Sequence, residues 1–126
     1  MLADKIIIVT GGTQGLGQGI AGHLAGLGAA GLVICGRNQA NGQRVEAALN
    51  DLGSPTLYVQ ADLSQEADCR QVVHACQARF GRVDGLVNAA GVTTRGTLDD
   101  TSVELWDQIF AVNTRAPFIL CRKPRG

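Results

Sequence analysis

Short, wholly apolar runs alternate along this chain with segments whose apolar residues recur every three or four positions. Ile6-Ile7-Ile8-Val9 and Leu32-Val33-Ile34-Cys35 contain no polar residue to mark a wet side, so they read as strands buried on both faces. The pattern predicts strand one over Lys5–Thr10, helix one over Gly15–Leu27, strand two over Gly31–Cys35, helix two over Gln39–Leu52 and strand three over Thr56–Gln60. Ile20, Leu24 and Leu27 fall on one side of helix one, and Gly15, Gly19, Gly22 and Gly26 form a small-residue face suited to close packing on a sheet. Val45, Leu49 and Leu52 share a side of helix two, which Gly53 ends.

Ser64 is placed to cap a third helix, with Glu66 and Asp68 in the first turn, where the helix dipole favours acids. Val72, Val73, Cys76 and Phe80 follow along it, and Gly81 stops it. Strand four is expected over Val83–Asn88. A long helical pattern then starts near Val103, with Trp106, Ile109 and Phe110 as a core stripe and Pro117 as a kink or a restart. Strands alternating with helices imply an α/β fold, a parallel sheet covered on both faces.

Strand one runs directly into Thr10-Gly11-Gly12-Thr13-Gln14-Gly15-Leu16-Gly17. A buried strand that breaks into glycines and then opens a helix makes a socket for a pyrophosphate. The first glycine permits the tight turn, the later ones admit close backbone approach, and the helix N-terminus offers unpaired N–H groups and a partial positive charge. A second glycine match, Gly17-Gln18-Gly19-Ile20-Ala21-Gly22, begins too far from the strand and lies inside the expected helix.

Composition narrows the classes further. The 126 residues carry 11 basic and 11 acidic side chains, so no net charge argues for nucleic acid or an acidic membrane as a partner. Cys35, Cys69, Cys76 and Cys121 form no CxxC pair, which favours reduced thiols in packed positions and a cytoplasmic setting over a metal site or disulfides. The first residues lack the basic stretch, apolar run and cleavage site of a secretion signal, so none is expected. Gly11–Gly36 holds no formal charge, yet 10 of its 26 residues are glycine, which suits a turn, a packed helix and a strand better than a membrane span. Four of the basic residues (Arg115, Arg122, Lys123 and Arg125) lie in the last 12 positions without an acid. Interrupted by proline, they read better as a solvated or artificial end than as a binding tail.

Four segments, in order, resemble the short-chain dehydrogenase/reductase family. Thr10-Gly11-x3-Gly15-x-Gly17 is similar to its TGxxxGxG turn, Asn88-Ala89-Ala90-Gly91 to its NAAG segment, and Asp62-Leu63-Ser64 to its adenine-contacting acidic turn, while Asn113 stands where its helix-borne catalytic asparagine would be. The resemblance runs from Lys5 to about Leu120 and matches the N-terminal half of the family's fold. It implies a Rossmann-like doubly wound sheet truncated to four strands in the order 3-2-1-4, one dinucleotide-binding domain over residues 1–126, incomplete at its C-terminal end. It also implies a parent reaction that interconverts an alcohol and a carbonyl on a small molecule by NAD(P)-dependent hydride transfer. Gly11, Gly15, Leu16 and Gly17 would shape the pyrophosphate site with Gln14 at its edge, Asp62 would accept from the adenine amine beside the Leu63 backbone, and Asn88, Ala89, Ala90 and Gly91 would pass under the nicotinamide-side ribose. Other roles stay open: a strand-to-strand tie for Asn88, a turn acid for Asp62, a helix-bending or helix-capping residue near Pro117 for Asn113.

Cofactor choice is read at the end of strand two. An acid there would bind the free 2′-hydroxyl of NAD, whereas an arginine holds a 2′-phosphate. Gly36-Arg37-Asn38 holds no acid, so NADP is favoured, with NAD the alternative and a solvated Arg37 the bland reading. The family's proton-transfer pair, Tyr-x-x-x-Lys, does not occur in these residues: the one tyrosine, Tyr58, sits in strand three with Asp62 four positions on. Cofactor binding without turnover is therefore expected of this chain, with a non-catalytic dinucleotide-binding or interaction module, or a frameshifted or truncated product, as the rivals. A strand four without a neighbour is an apolar edge that invites pairing. Self-association is expected, and a monodisperse monomer in light scattering at high concentration would refute it.

Overall fold

Both apolar runs become the centre of a parallel sheet. The structure is a computed structural model and describes residues 2–90, 102–104, 107 and 111–121. Strands β1 (Ile6–Thr10), β2 (Gly31–Gly36), β3 (Thr56–Gln60) and β4 (Gly85–Asn88) alternate with helices α1 (Gly15–Gly26), α2 (Gln39–Asp51) and α3 (Glu66–Phe80). A π-helical turn over Ala111–Arg115 then leads into α4 (Ala116–Cys121). The sheet order is β3-β2-β1-β4, every pair parallel, with Ile8 opposite Val33 on one side and Leu86 on the other.

Successive strand residues point to opposite faces, and the packing divides accordingly. Ile6, Ile8, Val33 and Cys35 pack with Cys69, Val72 and Cys76 of α3 and with Ala116, Ile119 and Leu120 of α4. Ile7, Val9, Leu32 and Ile34 pack with Ala21 and Ala25 of α1 and Val45 and Leu49 of α2. Two helices per face make the sheet doubly wound. Trp106, Ile109 and Phe110, expected as a core stripe, lie outside the described residues, as do Arg122, Lys123 and Arg125 of the basic end.

Several local expectations are corrected. Helix α1 meets the sheet through Gly17, Ala21 and Ala25, spaced four apart, while Ile20, Leu24 and Leu27 are half-buried. A Cβ built at Gly15, Gly19, Gly22 or Gly26 would find open space, so these glycines are not the packing face. The stripe is rotated because Gly17 must face the turn that precedes the helix. Leu52 is 62% exposed, since α2 ends at Asp51 and Leu52 is its cap rather than part of its buried side.

Ser64 does not cap α3. The N-cap is Gln65, which makes no side-chain cap bond, and the Ser64 hydroxyl instead donates to Asp62 Oδ1 at 2.6 Å. The first-turn Asp68 carboxylate takes over closure of the approach, accepting from the Asp62 N–H at 2.8 Å. Strand β4 begins at Gly85, not Val83, because Asp84 uses its side chain on β1: Oδ2 accepts from the Ile6 N–H at 2.8 Å and from Arg82 Nε at 2.9 Å. The helical pattern near Pro117 is not one continuous α-helix. Pro117 has no N–H to offer the carbonyl of Asn113 four residues back, and the preceding turn widens to the π form.

Leu32 sits in the middle of this arrangement with no exposed surface. Leu32→Ala is expected to lower stability by about 2–5 kcal/mol, read as a fall in the urea midpoint at unchanged slope.

Candidate functional site

The C-terminal ends of all four strands open on one edge of the sheet. The chain winds outward from β1 through β2 to β3, then crosses back to place β4 on the other side of β1. The crevice between the β1 and β4 ends is a topological switch point, where open α/β sheets leave room for ligands.

The glycine turn fills that edge by close contact. Gly11 adopts φ +68°, a left-handed conformation that glycine takes without strain, and a Cβ there would lie 2.8 Å from the Ala90 nitrogen. A Cβ at Gly17 would lie 2.0 Å from the Gly11 carbonyl oxygen, so the first turn of α1 rests directly on the end of the strand. Thr10, buried beneath, accepts from the Ala90 N–H at 3.3 Å and donates to the Val87 carbonyl at 3.4 Å. The Gly11 N–H donates to the Cys35 carbonyl at 3.1 Å, which ties the turn to the end of β2.

These contacts leave a cleft of about 470 Å³. Gly11, Gln14, Gly15, Leu16 and Gly17 form its floor, Arg37 with Gly36 and Asn38 one wall, Asp62 and Leu63 a second, and Ala89 and Ala90 the far side. Sequence reasoning missed Thr13, Cys35, Ala61 and Val112, which also line it. Nothing in their residue types marks them; they arrive because they adjoin the strand ends and the π-helical turn. Leu16 is 75% exposed at the rim, unusual for a leucine beside so much apolar packing.

The cleft suits an anionic group. No side chain caps α1 at Gln14, and its first turn carries no acid, so its leading N–H groups and its dipole face the opening uncompensated. Gly15, at φ +56°, borders open space that a Cβ would begin to fill. The donor set and the space fit a phosphate or pyrophosphate held on backbone N–H groups.

Charge at the walls is set by Asp62 and Arg37. Asp62 Oδ1 accepts from the Ser64 hydroxyl and from the Ser64 N–H at 2.9 Å, and these bonds, with the Arg37 charge adding to them, hold its carboxyl below the usual aspartate value. The turn role weighed for Asp62 is thus present, carried by Oδ1, and Asp62 also lines the cleft. Burial pushes the Cys35 thiol up to about 12, so the end of β2 brings no thiolate charge near the cleft.

Asn88 and Asn113 do not line the cleft. Asn88 is exposed at the end of β4, opposite Thr10, and the strand-to-strand tie considered for it is made by the Thr10 hydroxyl. Asn113 is exposed on the π-helical turn. That turn is fastened to the acidic loop by Arg115, whose guanidinium donates to the Ser64 carbonyl. Gly91 lies outside the described residues.

A doubly wound α/β protein with an uncapped helix start beside a cleft at its switch point is the class these features define. The family model described as short chain dehydrogenase matches residues 5–124, and the chain belongs to that family. It is 34% identical over 136 residues to the 11-beta-hydroxysteroid dehydrogenase A of Sesamum indicum, a match that takes in 99% of this chain and 38% of the relative. Among solved structures it resembles a blue fluorescent protein from a metagenomic library in complex with NADPH (TM-score 0.89, 30% identity, 94% of this chain and 49% of that one). It also resembles a 3-ketoacyl-(acyl-carrier-protein) reductase from Brucella melitensis complexed with NADH (TM-score 0.86, 36% identity, 95% and 48%). The chain thus spans about half the length of these structures or less of its relatives. No helix among the described residues is long and apolar enough to cross a membrane.

Because the folded state lowers the Asp62 pKa, the stability this group supplies is complete above its unfolded value near 3.8 and is lost as pH falls through the folded one. Ser64→Ala is expected to move the Asp62 titration upward toward that value, followed by carboxyl carbon shifts in NMR; an unmoved titration would refute the Ser64 hydroxyl as the leading cause.

Proposed function

We propose that this chain binds NADP in the cleft and forms the cofactor-binding part of an oxidoreductase that interconverts an alcohol and a carbonyl on a small molecule. The observation that carries this reading is the convergence of an uncapped helix N-terminus, Arg37 and the Asp62 turn on one cleft at the sheet's switch point. When bound, a nicotinamide dinucleotide supplies or accepts a hydride. In the proposed arrangement the N–H groups of Gly15, Leu16 and Gly17 hold the pyrophosphate, with Gln14 at its edge and Gly11 giving it room. The Arg37 guanidinium, which forms no salt bridge among the described residues, takes the 2′-phosphate in bidentate fashion.

Asp62 accepts from the adenine amine through the oxygen Ser64 leaves free, beside the Leu63 backbone. Asn88, Ala89, Ala90 and Gly91 pass under the second ribose, and Asn113 is the chain's one catalytic-set residue. The complexes named above, one with NADPH and one with NADH, support a dinucleotide and keep NAD as the alternative. Cys35, Cys69 and Cys76 are free thiols, which agrees with a reducing, cytoplasmic setting.

One observation favours a second reading, a binding module without turnover. Tyr58, the single tyrosine, donates its hydroxyl to the Gly36 carbonyl at 2.7 Å and is committed to the sheet. The 126-residue chain then binds cofactor without passing a proton to a substrate.

Titration of the chain with NADPH and NADH, followed by cofactor fluorescence, is expected to show saturable binding with NADPH the tighter, and Arg37→Ala is expected to erase most of that preference. The same chain is expected to oxidise no NADPH with a panel of aldehydes and ketones. Absence of binding would overturn the cofactor reading, and turnover near the rate of a full-length relative would overturn the non-catalytic one.

A further inference from the structure

Arg37 holds a phosphate more tightly when the turn that carries it is already held, and the donors that hold it come from β3, the residue after it and α2. The Gly36 carbonyl accepts two bonds, from Tyr58 Oη at 2.7 Å and from the Ala61 N–H at 3.1 Å. The next carbonyl, that of Arg37 itself, accepts from Gln60 Nε2 at 3.2 Å. Asn38 then closes the turn as N-cap of α2, its Oδ1 accepting from the Asn41 N–H at 3.0 Å. Three consecutive residues are thus fixed, each by a different side chain.

Two absent side chains make this possible. A Cβ at Gly42 would lie 2.2 Å from the Tyr58 ring, so the ring passes beneath α2 only because that position is glycine. A Cβ at Gly36 would lie 2.5 Å from Thr13 Oγ1, so the same turn also abuts the phosphate-side glycine loop. The Tyr58 backbone is held from the other side, its N–H donating to Glu46 Oε2 at 2.5 Å. None of these bonds uses the Asp62 carboxylate or the N–H groups of Gly15, Leu16 and Gly17.

We infer that Tyr58 and Gln60 are positioning residues for cofactor choice: they fix the Gly36–Asn38 backbone so that Arg37 is presented to a 2′-phosphate. The inference rests on the proposed role of Arg37. A flexible turn would leave Arg37 to be ordered on binding, and that ordering weakens affinity only for a ligand that uses the guanidinium. Pre-ordering by Tyr58 and Gln60 therefore favours NADP over NAD and leaves the shared part of the two cofactors untouched.

The test is binding of NADPH and NADH to the full chain and to Tyr58→Phe, Gln60→Ala, the double variant and Arg37→Ala, with a melting curve for each. Each single change on β3 removes one hydrogen bond to the turn, so NADPH affinity is expected to fall roughly three- to tenfold, with more in the double variant and NADH affinity within about twofold of the parent. Gln60 is exposed, so Gln60→Ala is expected to melt with the parent and to keep the test open if Tyr58→Phe folds poorly. Equal weakening of both cofactors, or of neither, would overturn the inference. If Arg37→Ala collapses the preference while the β3 variants keep it, only the positioning role fails; if Arg37→Ala keeps it, the reading of Arg37 fails and carries this one with it.

Discussion

The contact between Gly17 and the Gly11 carbonyl decides the geometry of everything around it. With 2.0 Å between that oxygen and the place where a Cβ would stand, helix α1 can begin where it does only if residue 17 has no side chain. That seating turns the leading N–H groups of α1 toward the cleft and sends its buried line through Ala21 and Ala25 onto Ile7, Val9, Leu32 and Ile34. The floor of the cleft and one layer of the core are consequences of the same close approach. The Thr10 hydroxyl secures the opposite side by joining the end of β1 to Val87 and Ala90 across the switch point.

The walls of the cleft are built by a different device, in which side chains bind backbone two to six residues away along the chain. Asp62, Ser64 and Asp68 close the β3–α3 approach among themselves, and Asn38 closes the β2–α2 turn. Such short-range bonds let a loop hold its form without burying much apolar area. They also explain why Asp62 is both a structural acid and a cleft residue: one oxygen serves Ser64, and a carboxylate has a second.

Much of this was legible in the residues. The runs Ile6–Val9 and Leu32–Cys35 gave the strands because a doubly covered sheet tolerates no polar interruption, and the Gly11 turn marked where the cleft opens because its spacing follows from strand geometry. The rotation of α1 was not legible, since Gly15, Gly19, Gly22 and Gly26 form as good a stripe on paper as Gly17, Ala21 and Ala25; only the seating on Gly11 chooses between them. Nor could the sequence assign Ser64, which has equal chemistry for capping α3 and for bonding Asp62. Tyr58 and Gln60 were invisible as neighbours of Arg37, because a parallel register between β2 and β3 brings them together across more than 20 residues.

Cys35, Cys69 and Cys76 sit wholly buried on the α3 face, and burial holds their thiols above the ordinary range. A protonated thiol sealed from solvent is a poor nucleophile. The three therefore report together on opening of this half of the molecule: an alkylating reagent reaches them only in states where α3 is lifted from the sheet, and a ligand that binds the closed form alone makes those states rarer.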